Sequence, residues 1–305
     1  MRYQPVGPNL GGTATAAEVD VMRRWLLGLL EANLLLAAAL AAQPPDGKGS
    51  KPGATVPFEL LSDFLVVVNG QIGDLEGLKF VLDTGATYTV IDRRVAEKLG
   101  LHREPGKVMN FDREVPVEWA EIPGLQVGPI RSGAFRGLVG KLSDYSTFGE
   151  KVDGIIGLDL LSKSKKLLID YETRALWWQL SEREAGSGPS WNYYLIPVVV
   201  QGHPVRLIVD TGMQGILLYG DRIRRSLPKL RTEGEQTKVG FGHLRTTQVK
   251  LPGVRIAGPE TVVTVFMMDG PGGQTLPGVD GYLGVASLHA KRVEFDFEAM
   301  KIRWQ

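Results

Sequence analysis

The sequence predicts a mainly β protein of two homologous β-barrel lobes related by a pseudo-twofold axis, with a few short helices. Three observations predict it. Helix-like apolar periodicity is scarce after residue 60. Glycine is abundant, 38 of 305 residues, and with many short apolar runs it points to strands joined by tight turns. Finally, a series of motifs recurs in the same order along the chain, so the second half restates the first.

The repeat is legible residue by residue. Leu82-Asp83-Thr84-Gly85 returns as Val209-Asp210-Thr211-Gly212, and Val152-Asp153-Gly154-Ile155-Ile156-Gly157 as Val279-Asp280-Gly281-Tyr282-Leu283-Gly284, both at an offset of 127. Ile169-Asp170-Tyr171-Glu172 answers to Phe295-Asp296-Phe297-Glu298, and Trp178-Gln179 to Trp304-Gln305. Pro123 to Val127 matches Pro252 to Ile256, and Val66 to Gly70 matches Val198 to Gly202, at offsets that drift by a few residues. Such drift is expected when insertions fall in loops. The pattern reads as a tandem duplication with lobes at 57–180 and 192–305, joined by a polar linker at 181–191.

Within each lobe the elements follow from local chemistry. Phe64 to Val68, Leu78 to Leu82 and Val205 to Val209 are strand-like apolar runs. Asp92 is placed to cap a helix over Arg93 to Leu99, with Gly100 closing it. Short helical turns are expected to start at Asp159-Leu160-Leu161 and Ser287-Leu288-His289. The basic stretch from Arg222 to Arg231 carries Ile223, Leu227 and Leu230 at helical spacing and reads as a solvated helix face.

Residues 1–42 form an N-terminal extension. Met22-Arg23-Arg24, the apolar run Trp25 to Ala42 and the Ala39-Leu40-Ala41 site have the pattern of a secretory signal cleaved near Ala41. Met22 is an alternative translation start. The other readings are an uncleaved membrane anchor through 25–42 and a solvated amphipathic helix. The first two place the protein outside the cytoplasm, secreted or periplasmic. Residues 43–56, rich in Pro, Gly and Lys, read as a linker.

Composition excludes several classes of chemistry. There is no cysteine, so disulfides, thiolate catalysis and Cys-based zinc sites are ruled out. The net charge of +1 suggests no nucleic-acid partner. The four histidines, His102, His203, His243 and His289, fall in no metal-ligand spacing. No phosphate-cradling loop or nucleophile-elbow motif occurs.

What remains is the pair of Asp-Thr-Gly turns. Each apolar strand delivers a carboxylate to a sharp turn, where Gly permits close approach of another segment. Twofold symmetry brings the two carboxylates together, and like charges at short range share a proton. One can then serve as general base on a water while the other, protonated, polarises a carbonyl.

Two Asp-Thr-Gly turns, each followed by an apolar-apolar-Gly triplet (Ile155-Ile156-Gly157 and Tyr282-Leu283-Gly284), resemble the aspartic peptidase superfamily. Asp83-Thr84-Gly85-Ala86 is similar to the retroviral-protease form, and the one-chain, two-lobe arrangement resembles pepsin. The resemblance spans about residues 57 to 305 and implies acid-protease-type barrels. It implies Asp83 and Asp210 as the catalytic dyad of an endopeptidase, Thr84 and Thr211 as interlocking hydroxyls, and Gly85 and Gly212 as turn residues. It implies no metal or cofactor, a polypeptide substrate, and a monomer holding both catalytic halves. The triplets would thread behind the turns. Flap tips would fall at Asn110 to Arg113 and Gly240 to His243, which are equally readable as surface hairpins. The family's flap tyrosine has no clear counterpart, though Phe111 or Phe241 would cover the same space. The second copy departs from the family pattern at Met213-Gln214, where a small residue is usual. Met213 either fills a gap, narrows the cleft, or marks a lobe that has drifted from activity. The rival readings are a non-catalytic peptide-binding module and a self-processing protease.

Overall fold

The computed structural model describes residues 54–110, 113–128, 130–144, 152–180, 193–241, 244–256, 258–268 and 276–305. The signal or anchor segment 22–42, most of the 43–56 linker and the 181–191 linker lie outside them, as do the flap-tip residues 111–112 and 242–243. The described residues fall in one compact unit, Asp46–Gln305. Among them, no helix is long and apolar enough to cross a membrane.

The first half is built from its apolar runs. Strands Leu65–Ile72 and Leu75–Leu82 form an antiparallel hairpin. Their alternate residues feed two cores. Val66, Val68, Phe80 and Leu82 enter the large central cluster, while Leu65, Val67 and Val81 enter a smaller one. Burial on both faces explains why these strands read as continuous rather than alternating apolar runs. Leu75–Leu82 runs parallel to Gly154–Ile156, which pairs with Val90–Asp92. Phe135–Gly140, Arg113–Ile122 and Glu104–Asn110 follow in the same sheet. The expected helix is present at Arg93–Lys98: the Asp92 carboxylate accepts the Arg94 N–H at 2.9 Å, and Gly100 follows at φ +65°.

The second half repeats this order. Leu195–Val200, His203–Asp210, Gly281–Gly284, Ile216–Tyr219, Thr261–Met268, Leu244–Arg255 and Glu233–Phe241 lie side by side in that order across one sheet. Leu195–Val200 also pairs with Leu244–Arg255, closing the sheet on itself. The two hairpins that would carry flaps are thus present, Glu104–Asn110 with Arg113–Ile122 and Glu233–Phe241 with Leu244–Arg255. Helical turns occur at Leu158–Leu161 and Val285–Leu288. The basic stretch is corrected by the structure: the helix covers only Gly220–Ser226. Leu227 leaves the helical region (φ −128°, ψ 69°) because Pro228 follows it, so Leu230 lies beyond the helix.

A third sheet ties the halves together. Its order is Ala54–Pro57, Ala175–Leu180, Ser164–Asp170, Arg292–Asp296, Lys301–Trp304, with the crossing between halves at Ser164–Asp170 and Arg292–Asp296. Ala54–Pro57 takes up the last residues of the segment read as linker. Ion pairs cross this seam reciprocally. Lys166 meets Asp296 at 3.2 Å and Arg292 meets Asp170 at 2.8 Å. Lys165 meets Glu298 at 3.3 Å and Lys291 meets Glu172 at 2.7 Å. Each pair is the twofold image of another, so the repeated acidic segments serve as the seam.

Tyr194 sits at this junction, edge-on to Phe295 and Phe297. Its hydroxyl is buried with no partner among the described residues. Tyr194→Phe removes an unsatisfied polar group while keeping the packing, and is expected to stabilise the fold by about 1 kcal/mol. Thermal unfolding checks it; a lower melting temperature would mean the hydroxyl is paired.

Candidate active site

The two strands Leu75–Leu82 and His203–Asp210 deliver Asp83 and Asp210 to the junction of the halves. Strand pairing fixes where they end. Leu82 runs beside Ile156 and the Asp83 N–H donates to the Ile156 carbonyl at 3.0 Å. Asp210 runs beside Gly284 in the same parallel register. One strand further back, the Asp153 and Asp280 carboxylates accept the N–H groups of Lys79 and Arg206 at 3.0 and 2.8 Å. The aspartate of each Val-Asp-Gly motif therefore pins the strand that carries the candidate catalytic residue.

The turns interlock through their threonines, both buried. The Thr84 hydroxyl donates to the Val209 carbonyl at 2.8 Å and accepts the Thr211 N–H at 3.2 Å. Thr211 returns both bonds, donating to the Leu82 carbonyl at 2.7 Å and accepting the Thr84 N–H at 3.0 Å. The glycines make room across the same axis. A Cβ on Gly85 would collide with the Asp210 carboxyl, and one on Gly212 with that of Asp83. Behind each turn, a Cβ on Gly157 would lie 2.7 Å from the Tyr88 carbonyl and one on Gly284 would strike the Met213 carbonyl. The apolar-apolar-Gly segments do run directly behind the turns.

The Asp83 and Asp210 carboxyls lie within hydrogen-bonding reach of each other. Their environments differ. Asp83 Oδ1 accepts the N–H groups of Gly85 and Ala86 at 2.8 and 2.9 Å; Asp210 Oδ1 accepts that of Gly212 at 2.7 Å. Burial raises the pKa of Asp83, opposed by its bonds to Asp210 and to those two amides. Burial raises Asp210 well above the ordinary range, and the adjacent Asp83 charge pushes it further. Both carboxyls are thus biased toward the protonated form, Asp210 the more strongly, and the two titrate as a pair.

Three tyrosines near this pair were invisible as site residues in the sequence. The Tyr193 hydroxyl hydrogen-bonds Thr87 Oγ1 across the junction at 2.5 Å. Its pKa is raised by burial, and further by the charges of Asp83 and Asp210. Tyr282 stands edge-on to Tyr219, at 6.1 Å between ring centres, and is likewise raised by burial with Tyr219, Tyr193 and Asp210 nearby. Tyr282 was legible only as an apolar position of its triplet, and Tyr193 matches nothing in the repeat.

Met213 is buried, 5% exposed, in a cluster with Ile208, Leu217, Tyr219, Met268, Val279 and Tyr282. Of the three readings of this residue, gap filling is the one its surroundings match. In the first half a support of another kind stands here. The Asp159 carboxylate accepts the Thr89 N–H at 2.8 Å and its hydroxyl at 2.5 Å, and Thr89 Oγ1 accepts the Gly157 N–H at 3.1 Å. Among the described residues no group of His, Asp and Glu could hold a metal ion.

Comparison with known proteins reaches the first half of the site, Asp83 to Gly85, and not Asp210 to Gly212. The aspartyl protease family matches residues 67–160. A retropepsin-like aspartic protease from Rickettsia conorii is similar at 19% identity over 43% of this chain and 94% of that one, with a TM-score of 0.32. No curated protein matches the chain.

Proposed function

We propose that this chain, a member of the aspartic peptidase superfamily, hydrolyses peptide bonds in polypeptides with water activated between Asp83 and Asp210. The observation that carries the reading is the pair of carboxyls, Asp210 buried and Asp83 half-buried, held within hydrogen-bonding reach by two symmetric turns. Asp83, the anion, takes a proton from water as the oxygen attacks the scissile carbonyl carbon. Asp210 gives its proton to the carbonyl oxygen, yielding a neutral tetrahedral diol. Collapse of the diol breaks the C–N bond: Asp83 passes its proton to the leaving nitrogen while Asp210 takes one from a diol hydroxyl, which releases the amine and the carboxylic acid and restores the pair. Both halves of this pair lie in one chain, so the active form is a monomer. The sequence pattern of residues 22–42 supports export or anchoring and, with it, a substrate outside the cytoplasm.

The non-catalytic alternative rested on Met213, and the burial of that residue in a core cluster supports the catalytic reading over it. The test is cleavage of a denatured polypeptide between about pH 3 and 7, a window spanning carboxylate titration. Cleavage blocked by a statine-type transition-state mimic is the expected result. Absence of both cleavage and mimic binding throughout the window sinks the proposal.

A further inference from the structure

The two halves differ in how tightly each Asp-Thr-Gly turn closes on its carboxyl. Asp83 Oδ1 accepts two amides of its own turn, Gly85 and Ala86, whereas Asp210 Oδ1 accepts one, Gly212. The Gly85 N–H also lowers the pKa of Asp210, so the amide without a counterpart is that of Ala86. Among the described residues the matching Met213 N–H makes no bond to Asp210. The first turn therefore wraps further around its carboxyl than the second does.

A tether from the other half holds it there. The Tyr193 hydroxyl bonds Thr87 Oγ1 at 2.5 Å, on the residue that follows Ala86. The Tyr193 ring packs against the cluster of Ile208, Met213 and Tyr282, which fixes the base from which the hydroxyl reaches across. Strand register shows why the twofold image of this bond cannot form. Val67 lies opposite Val81 and Leu195 opposite Ile208, and the Tyr194 carbonyl continues the second register by accepting the Val209 N–H. Two residues back along these partner strands stand Leu65 and Tyr193, which are thus counterparts. Thr87 has Gln214 as its counterpart, at the offset of 127 that relates the two turns. Leu65 is wholly buried and Gln214 exposed, so an apolar side chain stands where the other half has a phenol.

We infer that Tyr193 is a positioning residue that makes the two carboxyls unequal: its bond to Thr87 keeps the first turn closed on Asp83, which is thereby the carboxyl held as the anion. The Ala86 N–H favours the charged form of Asp83, and no equivalent amide of the second turn favours that of Asp210. Tyr193 acts through Thr87 and not on the reacting atoms. The inference rests on the carboxyl pair of the proposed hydrolysis and assigns its base. The titratable groups around the Tyr193 hydroxyl are Asp83, Asp210, Tyr88 and Tyr282. Tyrosines ordinarily titrate at about 10, so in the acid range the carboxyls alone change charge there.

Single-carboxyl backgrounds read each group without the other's charge. In aspartate-labelled Asp210→Asn protein, carbon NMR follows Asp83; in Asp83→Asn protein it follows Asp210. Each resonance is identified by its absence from the double variant. Asp83 is expected to titrate at the lower pH. Adding Tyr193→Phe keeps the ring and drops the hydroxyl. It is expected to raise Asp83 by about one pH unit, the worth of one amide bond to a carboxylate, and to move Asp210 little. Thr87→Val should do the same from the other end of the bond, and Thr87→Ser should restore the original value. With both carboxyls present, Tyr193→Phe should shift the acid limb of kcat/KM upward and leave KM unchanged, lowering turnover about tenfold below that limb. The titration reads the inference whether or not a polypeptide is cleaved. An inactive chain whose carboxyls differ through Tyr193 supports the inference while overturning the proposed hydrolysis. Two results overturn the inference itself: equal titration of the carboxyls in their single backgrounds, or an Asp83 indifferent to both Tyr193→Phe and Thr87→Val in folded protein. The second is the result expected if the small side chain of Ala86 closes the turn unaided.

Discussion

Replacing Asp210 with asparagine is expected to cut peptide hydrolysis by orders of magnitude while making the folded chain more stable at neutral pH. The two effects share one cause. Both carboxyls have pKa values raised above the ordinary 3.8 in the folded state, by burial first and, for Asp210, by the neighbouring charge. Between 3.8 and the raised values the folded chain holds more protons than the unfolded one. Stability therefore falls as pH rises through that window, and the pair is a net cost above it. Asparagine keeps the shape and an acceptor for the Gly212 N–H, and it carries no charge. The stability gain appears at neutral pH and vanishes below the ordinary carboxylate range. The loss of the proton donor lowers kcat by about 10²- to 10⁴-fold at every pH. Asp83→Asn is expected to be as inactive and to shift Asp210 downward, since it deletes the adjacent charge. Urea unfolding across pH and turnover of a denatured polypeptide read both effects. An Asp210→Asn protein that is less stable at neutral pH, or that cleaves at close to the wild-type rate, contradicts the account.

A residue that destabilises its own fold is one that local sequence logic does not explain, and this separates what was legible from what was not. The repeat was legible because its motifs are backbone chemistry. Asp153 and Asp280 pin strands, Gly157 and Gly284 let backbone pass behind a turn, and Asp170 and Asp296 cross the seam. Each role is confined to a short segment and so leaves a local signature twice. The helix at Arg93–Lys98 was legible for the same reason, since Asp92 and Gly100 are local signals. The Tyr193 bond to Thr87 was not, because it joins residues 106 apart and occurs on one side only. The helix after Tyr219 was overextended because the spacing of Ile223, Leu227 and Leu230 outweighed the break that Pro228 imposes. Met213 was ambiguous until its six apolar neighbours were known, since a buried Met and a cleft-lining Met have the same sequence. Symmetric features were thus readable from one chain and asymmetric ones were not.

The largest loss of stability is expected from Thr84→Val. The substitution is nearly isosteric and acts through hydrogen bonds alone. The Thr84 hydroxyl donates to the Val209 carbonyl and accepts the Thr211 N–H, all buried at the junction. Valine leaves both backbone groups unsatisfied, at about 1–3 kcal/mol each. A combined loss of about 2–6 kcal/mol is a large share of the roughly 5–15 kcal/mol that holds a folded protein together. Thr211→Val should cost a similar amount, by freeing the Leu82 carbonyl and the Thr84 N–H. The four bonds form one closed unit, so the double variant should lose less than the sum of the two single losses. Thr84→Ser keeps the hydroxyl and is expected to recover most of the stability. Activity should fall further than stability alone explains, because the same bonds set the distance between Asp83 and Asp210. Measured at a temperature where every variant is folded, Thr84→Val should lower kcat, and Thr84→Ser should restore most of it. Additive losses in the double variant, or wild-type turnover in folded Thr84→Val, would show that the carboxyls are positioned by their own strands and not by the threonine interlock.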